Sequence, residues 1–285
     1  MTHTISDGVH PRLVASDLDG TVVREDGTVS ARTVEAFARV RDAGAEFVFA
    51  TGRPPRLMGP IADAFGGSGT AICSNGAYLY DMATRSVVAE HAIDPHTLAE
   101  TVRRLRAAIP GIGLAVEYAT ELHGDDRYEA GAWDDDITVR RPGEAGLWHR
   151  PAPKLVGRHP HLTADELLAL AAPALGDLIT VYHSNGERLV EAIAVGVSKA
   201  HALRRFAADR GITAAETMAF GDMPNDLPML AWAGMSYAVA GAHPSVLDAV
   251  AHVTLSLDED GVARVIERHF PGGRRVSARA TGRRH

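Results

Sequence analysis

Short apolar runs, each followed by a segment of helical spacing, occur near both ends of this chain, and that alternation narrows the folds open to it. In the first third, Leu13-Val-Ala-Ser16, Glu46-Phe-Val-Phe-Ala50 and Thr70-Ala-Ile-Cys-Ser74 read as strands. Ala31 to Ala43 has helical spacing through Val34, Phe37, Ala38, Val40 and Arg41, and Pro54 is placed to open a helix to about Ala64. The pattern returns with a helix from Lys199 to Asp209, a strand Thr217 to Phe220 and a helix Asp226 to Ala233. A strand Ser236 to Ala240 and closing helices near Ser245 and Val262 follow. Strands apolar on both faces, separated by helices, predict an α/β fold: a parallel sheet covered on each side.

Between the two blocks the character changes. A helix near Leu98 to Ala108, a capping box Thr163-x-x-Glu166, and strand-like stretches Leu114 to Tyr118, Ile179 to His183 and Leu189 to Ile193 surround a Pro/Gly/Trp-rich middle from Trp133 to Pro153. This predicts an α+β insertion of about a hundred residues, large enough for its own core. The expected organisation is a first core segment 1–83, an inserted domain 84–188, a second core segment 189–271 and a disordered Arg-rich tail 272–285.

The formal charge is −7 although five arginines lie between 274 and 284, so the folded part is more acidic still and a nucleic-acid-binding face is not expected. One cysteine, Cys73, inside an apolar run, excludes an internal disulfide and a thiolate metal cluster and predicts a reducing, cytoplasmic setting. The first residues lack a basic start with an apolar stretch, and no run of 18 apolar residues occurs, so neither secretion nor a membrane span is expected. Of 29 basic side chains only Lys154 and Lys199 are lysines, which makes each worth explaining.

Chemistry-bearing residues gather at strand ends. Asp17-Leu-Asp-Gly-Thr21 follows the first strand. Side chains two apart in extended backbone share a side, so Asp17 and Asp19 can converge on one ligand at the carboxyl edge of the sheet. Paired carboxylates repel unless a cation separates them or one keeps its proton, a conflict that magnesium with a phosphoryl group removes. Thr51-Gly-Arg53 follows the second strand and precedes a helix start, where a hydroxyl and backbone N–H groups can take a phosphate oxygen; Ser74-Asn-Gly-Ala77 offers a similar pocket. Lys199, just after the N-cap candidate Ser198, opposes its helix dipole, a placement that a bound phosphate explains. Gly221-Asp-Met-Pro-Asn-Asp-Leu-Pro228 brings Asp222, Asn225 and Asp226 to the same edge as hard oxygen donors suited to magnesium. Lys154, in the irregular middle of the insertion, receives no role.

These residues resemble the motifs of the haloacid dehalogenase superfamily, and among its members the Cof-type phosphatases. Asp17-Leu-Asp-Gly-Thr21 looks like the first motif, Thr51-Gly-Arg53 the second, Lys199 the third, and Gly221-Asp222 with Asn225-Asp226 and Met229-Leu230 the fourth. Ser74 to Ala77 and Asp258-Glu-Asp-Gly-Val262 are also similar to family segments, so the likeness extends over residues 11–270. Asp17 and Thr51 are 34 positions apart, too close to hold a cap domain, whereas the 148 positions between Thr51 and Lys199 accommodate the α/β cap of the Cof-type (type IIB) branch. Ala200 stands where that branch often has glycine, and Pro224 and Pro228 stiffen the fourth motif.

The resemblance implies a Rossmann-like core with an inserted cap and an aspartyl-phosphate mechanism. Asp17 would be the nucleophile and Asp19 the acid and base. Asp17, Asp222 and the backbone carbonyl of Asp19 would hold Mg2+, while Thr51, Gly52, Lys199 and Asn225 bind the phosphoryl group and Asp226 orients the metal's surroundings. It implies a small phosphorylated metabolite as substrate, with no nucleic-acid or membrane partner; oligomeric state is not readable. Asp19 favours phosphate ester over carbon–halogen cleavage, and the missing membrane spans disfavour an ion pump. A phosphomutase of the α-phosphomannomutase type and a non-catalytic phosphate-ligand binder are the alternatives. For specificity the cap offers Glu117, Tyr118, Glu121, His123, Tyr128 and His183 without distinguishing among them, and His159 and His161 lack metal-ligand spacing.

Overall fold

A computed structural model describes residues 10–131, 134–135, 137–183 and 188–272. The chain begins with β1 (Leu13–Ser16), α1 (Ala31–Asp42), β2 (Glu46–Ala50), α2 (Gly59–Ala64), β3 (Thr70–Cys73) and the hairpin β4 (Tyr78–Asp81) and β5 (Ser86–Glu90). Ser30 caps α1 by accepting the Thr33 N–H, and the helix buries Ala36, Phe37 and Val40. Phe37 meets Phe47, Phe49 and Phe65 at ring-centroid distances of 5.2, 5.2 and 5.5 Å, anchoring α1 to β2. Truncating Phe37 to alanine would cost about 3–5 kcal/mol. The helix expected from Pro54 is broken: a 3-10 turn covers Pro55–Met58 and α2 begins only at Gly59.

The middle of the chain forms α3 (Pro95–Ala108), β6 (Gly113–Glu117), β7 (Leu122–Gly124), β8 (Val139–Arg140), β9 (Lys154–Arg158), α4 (Ala164–Leu175), β10 (Thr180–Tyr182) and β11 (Leu189–Ile193). The return to the first domain supplies α5 (Lys199–Ala208), β12 (Thr217–Gly221), α6 (Leu227–Trp232), β13 (Met235–Ala240), α7 (Pro244–Ala249), β14 (His252–Ser256) and α8 (Gly261–His269). Two sheets result. The first has the order β14-β13-β12-β1-β2-β3-β4-β5, parallel from β14 to β3 with the hairpin added antiparallel. The second has the order β10-β11-β9-β6-β7-β8.

Sheet membership moves both sequence-drawn boundaries. β5, expected in the insertion beyond residue 84, pairs with β4 because Asp81 accepts the Ala83 and Thr84 N–H groups and closes the hairpin turn. β11, expected in the core after residue 188, lies between β10 and β9 in the second sheet. The Arg-rich tail falls beyond residue 272, outside the described residues.

Alternation gives the cap sheet two different faces. Leu114, Val116, Leu155, Val190 and Ala192 pack with Leu98, Val102, Leu105, Leu167 and Ala171 of α3 and α4. The intervening positions place Glu117, Lys154 and Glu191 together on the opposite face.

Candidate active site

Four neighbouring parallel strands, β12, β1, β2 and β3, end at one edge of the first sheet. Asp17 therefore lies beside Asp222, Thr51 follows β2, and Ser74 and Asn75 follow β3. Lys199 enters from the first turn of α5, where Ser198 accepts the His201 N–H as N-cap. Its Nζ lies 2.8 Å from both Asp17 Oδ1 and Asp226 Oδ1. All three side chains are buried.

Asp226 uses its other oxygen to accept the N–H groups of Asp222 and Met223, each at 3.1 Å, and so shapes the turn that presents Asp222. Thr21 donates to Asp222 Oδ1 at 2.7 Å. Gly20, at φ +79°, lets the first loop approach this carboxylate: a Cβ there would stand 2.4 Å from Asp222 Oδ2.

Carboxylate oxygens of Asp17, Asp222 and Asp226 lie within 4.8 Å of one another. One lysine faces three acids. Burial, followed by the charges of Asp226 and Asp222, raises the Asp17 carboxyl well above its usual range against the opposing pull of Lys199. Burial and Asp226 raise Asp222 to about 6. For Lys199, burial favours the neutral amine, but Asp17 and Asp226 outweigh it and hold the ammonium charged. The surplus of negative charge on hard oxygen donors fits a divalent cation. The Asp19 carbonyl accepts no backbone hydrogen bond among the described residues.

The Asp19 carboxylate is not part of this trio. Arg53 clasps it, with Nη2 2.5 Å from Oδ1 and Nε 2.9 Å from Oδ2. The sequence reading gave Arg53 no role, although its place directly after Thr51-Gly52 was the available signal. Thr51 Oγ1 accepts the Arg53 N–H at 3.0 Å, which leaves the Thr51 hydroxyl hydrogen free to donate elsewhere. Asn225 reaches across to Asn75, donating to its Oδ1 at 2.9 Å. Ser74 Oγ and Asn225 Oδ1 are buried without a protein partner among the described residues, capacity that a polar ligand can use. Ser74 and Asn75 both adopt left-handed backbone, φ 46° and 52°, which turns this segment sharply at the sheet edge.

The haloacid dehalogenase-like hydrolase family model matches residues 14–266. The chain belongs to this family. It is 24% identical over 271 residues to a 5-amino-6-(5-phospho-D-ribitylamino)uracil phosphatase of Bacillus subtilis, covering 91% of this chain and 98% of that one. It is 29% identical over 260 residues to a phosphoglycolate phosphatase of Halorubrum lacusprofundi, covering 89% and 95%. Its fold matches the structure of the haloacid dehalogenase subclass IIB sugar phosphatase BT4131 with a TM-score of 0.77 at 20% identity, covering 91% and 98%. The Cof-type phosphatase assignment made from motif spacing agrees with these likenesses, and the protein is a phosphoric monoester hydrolase. Among the described residues no helix is long and apolar enough to cross a membrane.

Lys154 departs from its expected irregular setting. It opens β9 and is 2% exposed, between Glu117 and Glu191. Its rarity as one of two lysines was the signal. Glu117 also reaches the first domain through Arg56 at 2.9 Å. The other cap candidates bond within the cap: Tyr118 lies under Arg150, Glu121 pairs with Arg150 and His123, Tyr128 donates to Asp134, and His183 pairs with Asp165.

Proposed function

We propose that this phosphatase hydrolyses a small phosphorylated metabolite with magnesium, through an aspartyl-phosphate on Asp17. The observation that carries the reading is the Asp17 carboxylate, buried beside Asp222 and held by the Lys199 ammonium at the sheet edge. Asp17 attacks phosphorus as the ester P–O bond breaks, and Asp19 gives its proton to the leaving oxygen. Asp19 then takes a proton from water as that water displaces Asp17 from phosphorus, releasing phosphate and restoring the carboxylate. Thr51, Gly52, Lys199 and Asn225 bind the phosphoryl oxygens, and Arg53 orients Asp19. Asp17, Asp222 and the Asp19 carbonyl would hold magnesium, which supplies charge neutralisation at the phosphoryl group; Asp226 shapes their surroundings.

The relatives act on phosphorylated compounds as different as a ribitylaminouracil and glycolate, which supports a compact phosphometabolite as substrate without selecting one. An acidic chain supports the same class over nucleic acids. The buried free thiol Cys73, raised further by burial, suits a reducing cytoplasmic setting. The test is phosphate release from a panel of sugar phosphates, other phosphometabolites and p-nitrophenyl phosphate, with magnesium and with chelator, beside Asp17→Asn. We expect magnesium-dependent release that the variant abolishes while keeping its fold. Retention of more than about 5% of the activity by the variant would sink the nucleophile assignment, because covalent catalysis needs the carboxylate.

A further inference from the structure

The cap carries a second buried charge cluster, separate from the carboxylate site. Lys154 Nζ lies 2.5 Å from Glu117 Oε2 and donates to Glu191 Oε1 at 2.9 Å and to the Gly52 carbonyl at 3.3 Å. Glu117 turns its other oxygen to Arg56 Nη2 at 2.9 Å, and the same guanidinium reaches Asp134 at 3.3 Å. The contacts form a ring. It leaves the first domain at Gly52, passes through Lys154 and Glu117 of the cap, and returns at Arg56, four residues further along the same turn.

We propose that Lys154 is a positioning residue for the phosphoryl site: by holding the Gly52 carbonyl it sets the peptide on which both Thr51 and Arg53 depend. The inference rests on the reading of Thr51, Gly52 and Asp19 given above. A peptide group is planar and trans, so fixing the Gly52 carbonyl fixes the Arg53 N–H on its far side. That N–H donates to Thr51 Oγ1 and thereby directs the remaining Thr51 hydroxyl hydrogen. The Arg53 side chain, rooted in the same peptide, holds Asp19. Rotation of this one peptide therefore disturbs the phosphate donor and the acid–base group together.

Cohesion between cap and core does not by itself require such a cluster, because apolar residues of similar volume pack two domains at lower desolvation cost. What ions add is direction. Burial alone would lower the Lys154 pKa, but Glu117 and Glu191 overcome that and keep it an ammonium with three N–H donors to distribute. Glu191 of β11 and the Gly52 carbonyl of the turn accept from it, and Glu117 of β6 pairs with its charge, so the cap sheet is the template against which the turn is set.

The test uses the full-length enzyme with Lys154→Met/Glu191→Gln, which removes one charge of each sign and leaves Glu117 paired with Arg56, and Glu191→Gln alone as control. In hydrogen-exchange mass spectrometry we expect peptides covering residues 51–57 to exchange about 10-fold faster in the double variant, with the β12 and α3 peptides unchanged. In kinetics we expect kcat/KM for p-nitrophenyl phosphate to fall about 10-fold. The fall should be larger for glycerol phosphate, whose alkoxide leaving group depends more on protonation by Asp19. Unchanged exchange over 51–57, acceleration spread evenly over the chain, or equal losses for the two substrates would overturn the proposal. A wild-type protein that released no phosphate would instead count against the phosphatase reading, and the exchange measurement would still decide the role of Lys154.

Discussion

Replacing Gly20 by alanine separates backbone strain from a specific contact. At φ +79° an L-residue costs about 1–2 kcal/mol. The added methyl carbon would stand 2.4 Å from Asp222 Oδ2, where ordinary contact begins at 3.4 Å, so one partner must yield by about 1 Å. Asp222 is the partner able to move, and moving it breaks the Thr21 bond and spreads the carboxylate trio. A misplacement of about 1 Å in a catalytic constellation costs on the order of 100-fold in rate. Gly27→Ala is the matched control: φ is +80° and no atom lies within 4 Å of its Cβ. Both variants should lose stability by the backbone term, with Tm falling about 2–4 °C for each kcal/mol. Gly20→Ala alone should lose phosphate release, with half-saturation shifted to higher magnesium. The assays are thermal unfolding and phosphate release across a magnesium titration. Gly20→Ala activity within about threefold of Gly27→Ala at every magnesium concentration would refute the reasoning, since it would place the contact outside the chemistry.

Lys199→Met leaves Asp17 and Asp226 without their buried cation and should destabilise the protein by about 3–5 kcal/mol in urea unfolding while abolishing turnover; a variant as stable as wild type would show that the ammonium does not compensate these acids. Asp222 gives a pH signature in chelator. With its carboxyl raised to about 6 against 3.8, the folded state binds more protons than the unfolded chain between those values. This contribution therefore favours the fold at acid pH and is lost as pH rises through 6, by on the order of 1–3 kcal/mol. Comparing unfolding at pH 5 and 7, Asp222→Asn should remove that part of the slope; an identical slope in the variant would contradict the assignment.

The centre of the first sheet was legible because strands buried on both faces are mostly apolar: β1 and β2 lie where Leu13 to Ser16 and Glu46 to Ala50 placed them. The strand-end residues converge for the same reason, since parallel neighbours deliver their following loops to one edge. The cap was harder. β9 is preceded by Pro151-Ala-Pro153 and opens on a charged residue, so no apolar run marks its start. The burial of Lys154 depends on Glu117 and Glu191 from two neighbouring strands, a pairing that local pattern does not encode. The clasp of Arg53 on Asp19 likewise joins residues 34 positions apart, and strand spacing fixes their shared edge without fixing which way each side chain turns.

The arrangement of β12 against β1 also has a consequence in time. Asp17 leaves a ribosome long before its partners: its strand pairs with Leu13 opposite Thr217, and its Lys199, Asp222 and Asp226 neighbours lie roughly 180–210 positions further along the chain. At about 5–20 residues per second, synthesis needs on the order of 10–40 s to produce them. During that interval β1 has one sheet edge unpaired and Asp17 has no Lys199 ammonium beside it. Docking of α5 and β12 onto the earlier strands therefore pairs the open edge of β1 and gathers the carboxylates around Lys199, with β13 and β14 still to add beyond β12.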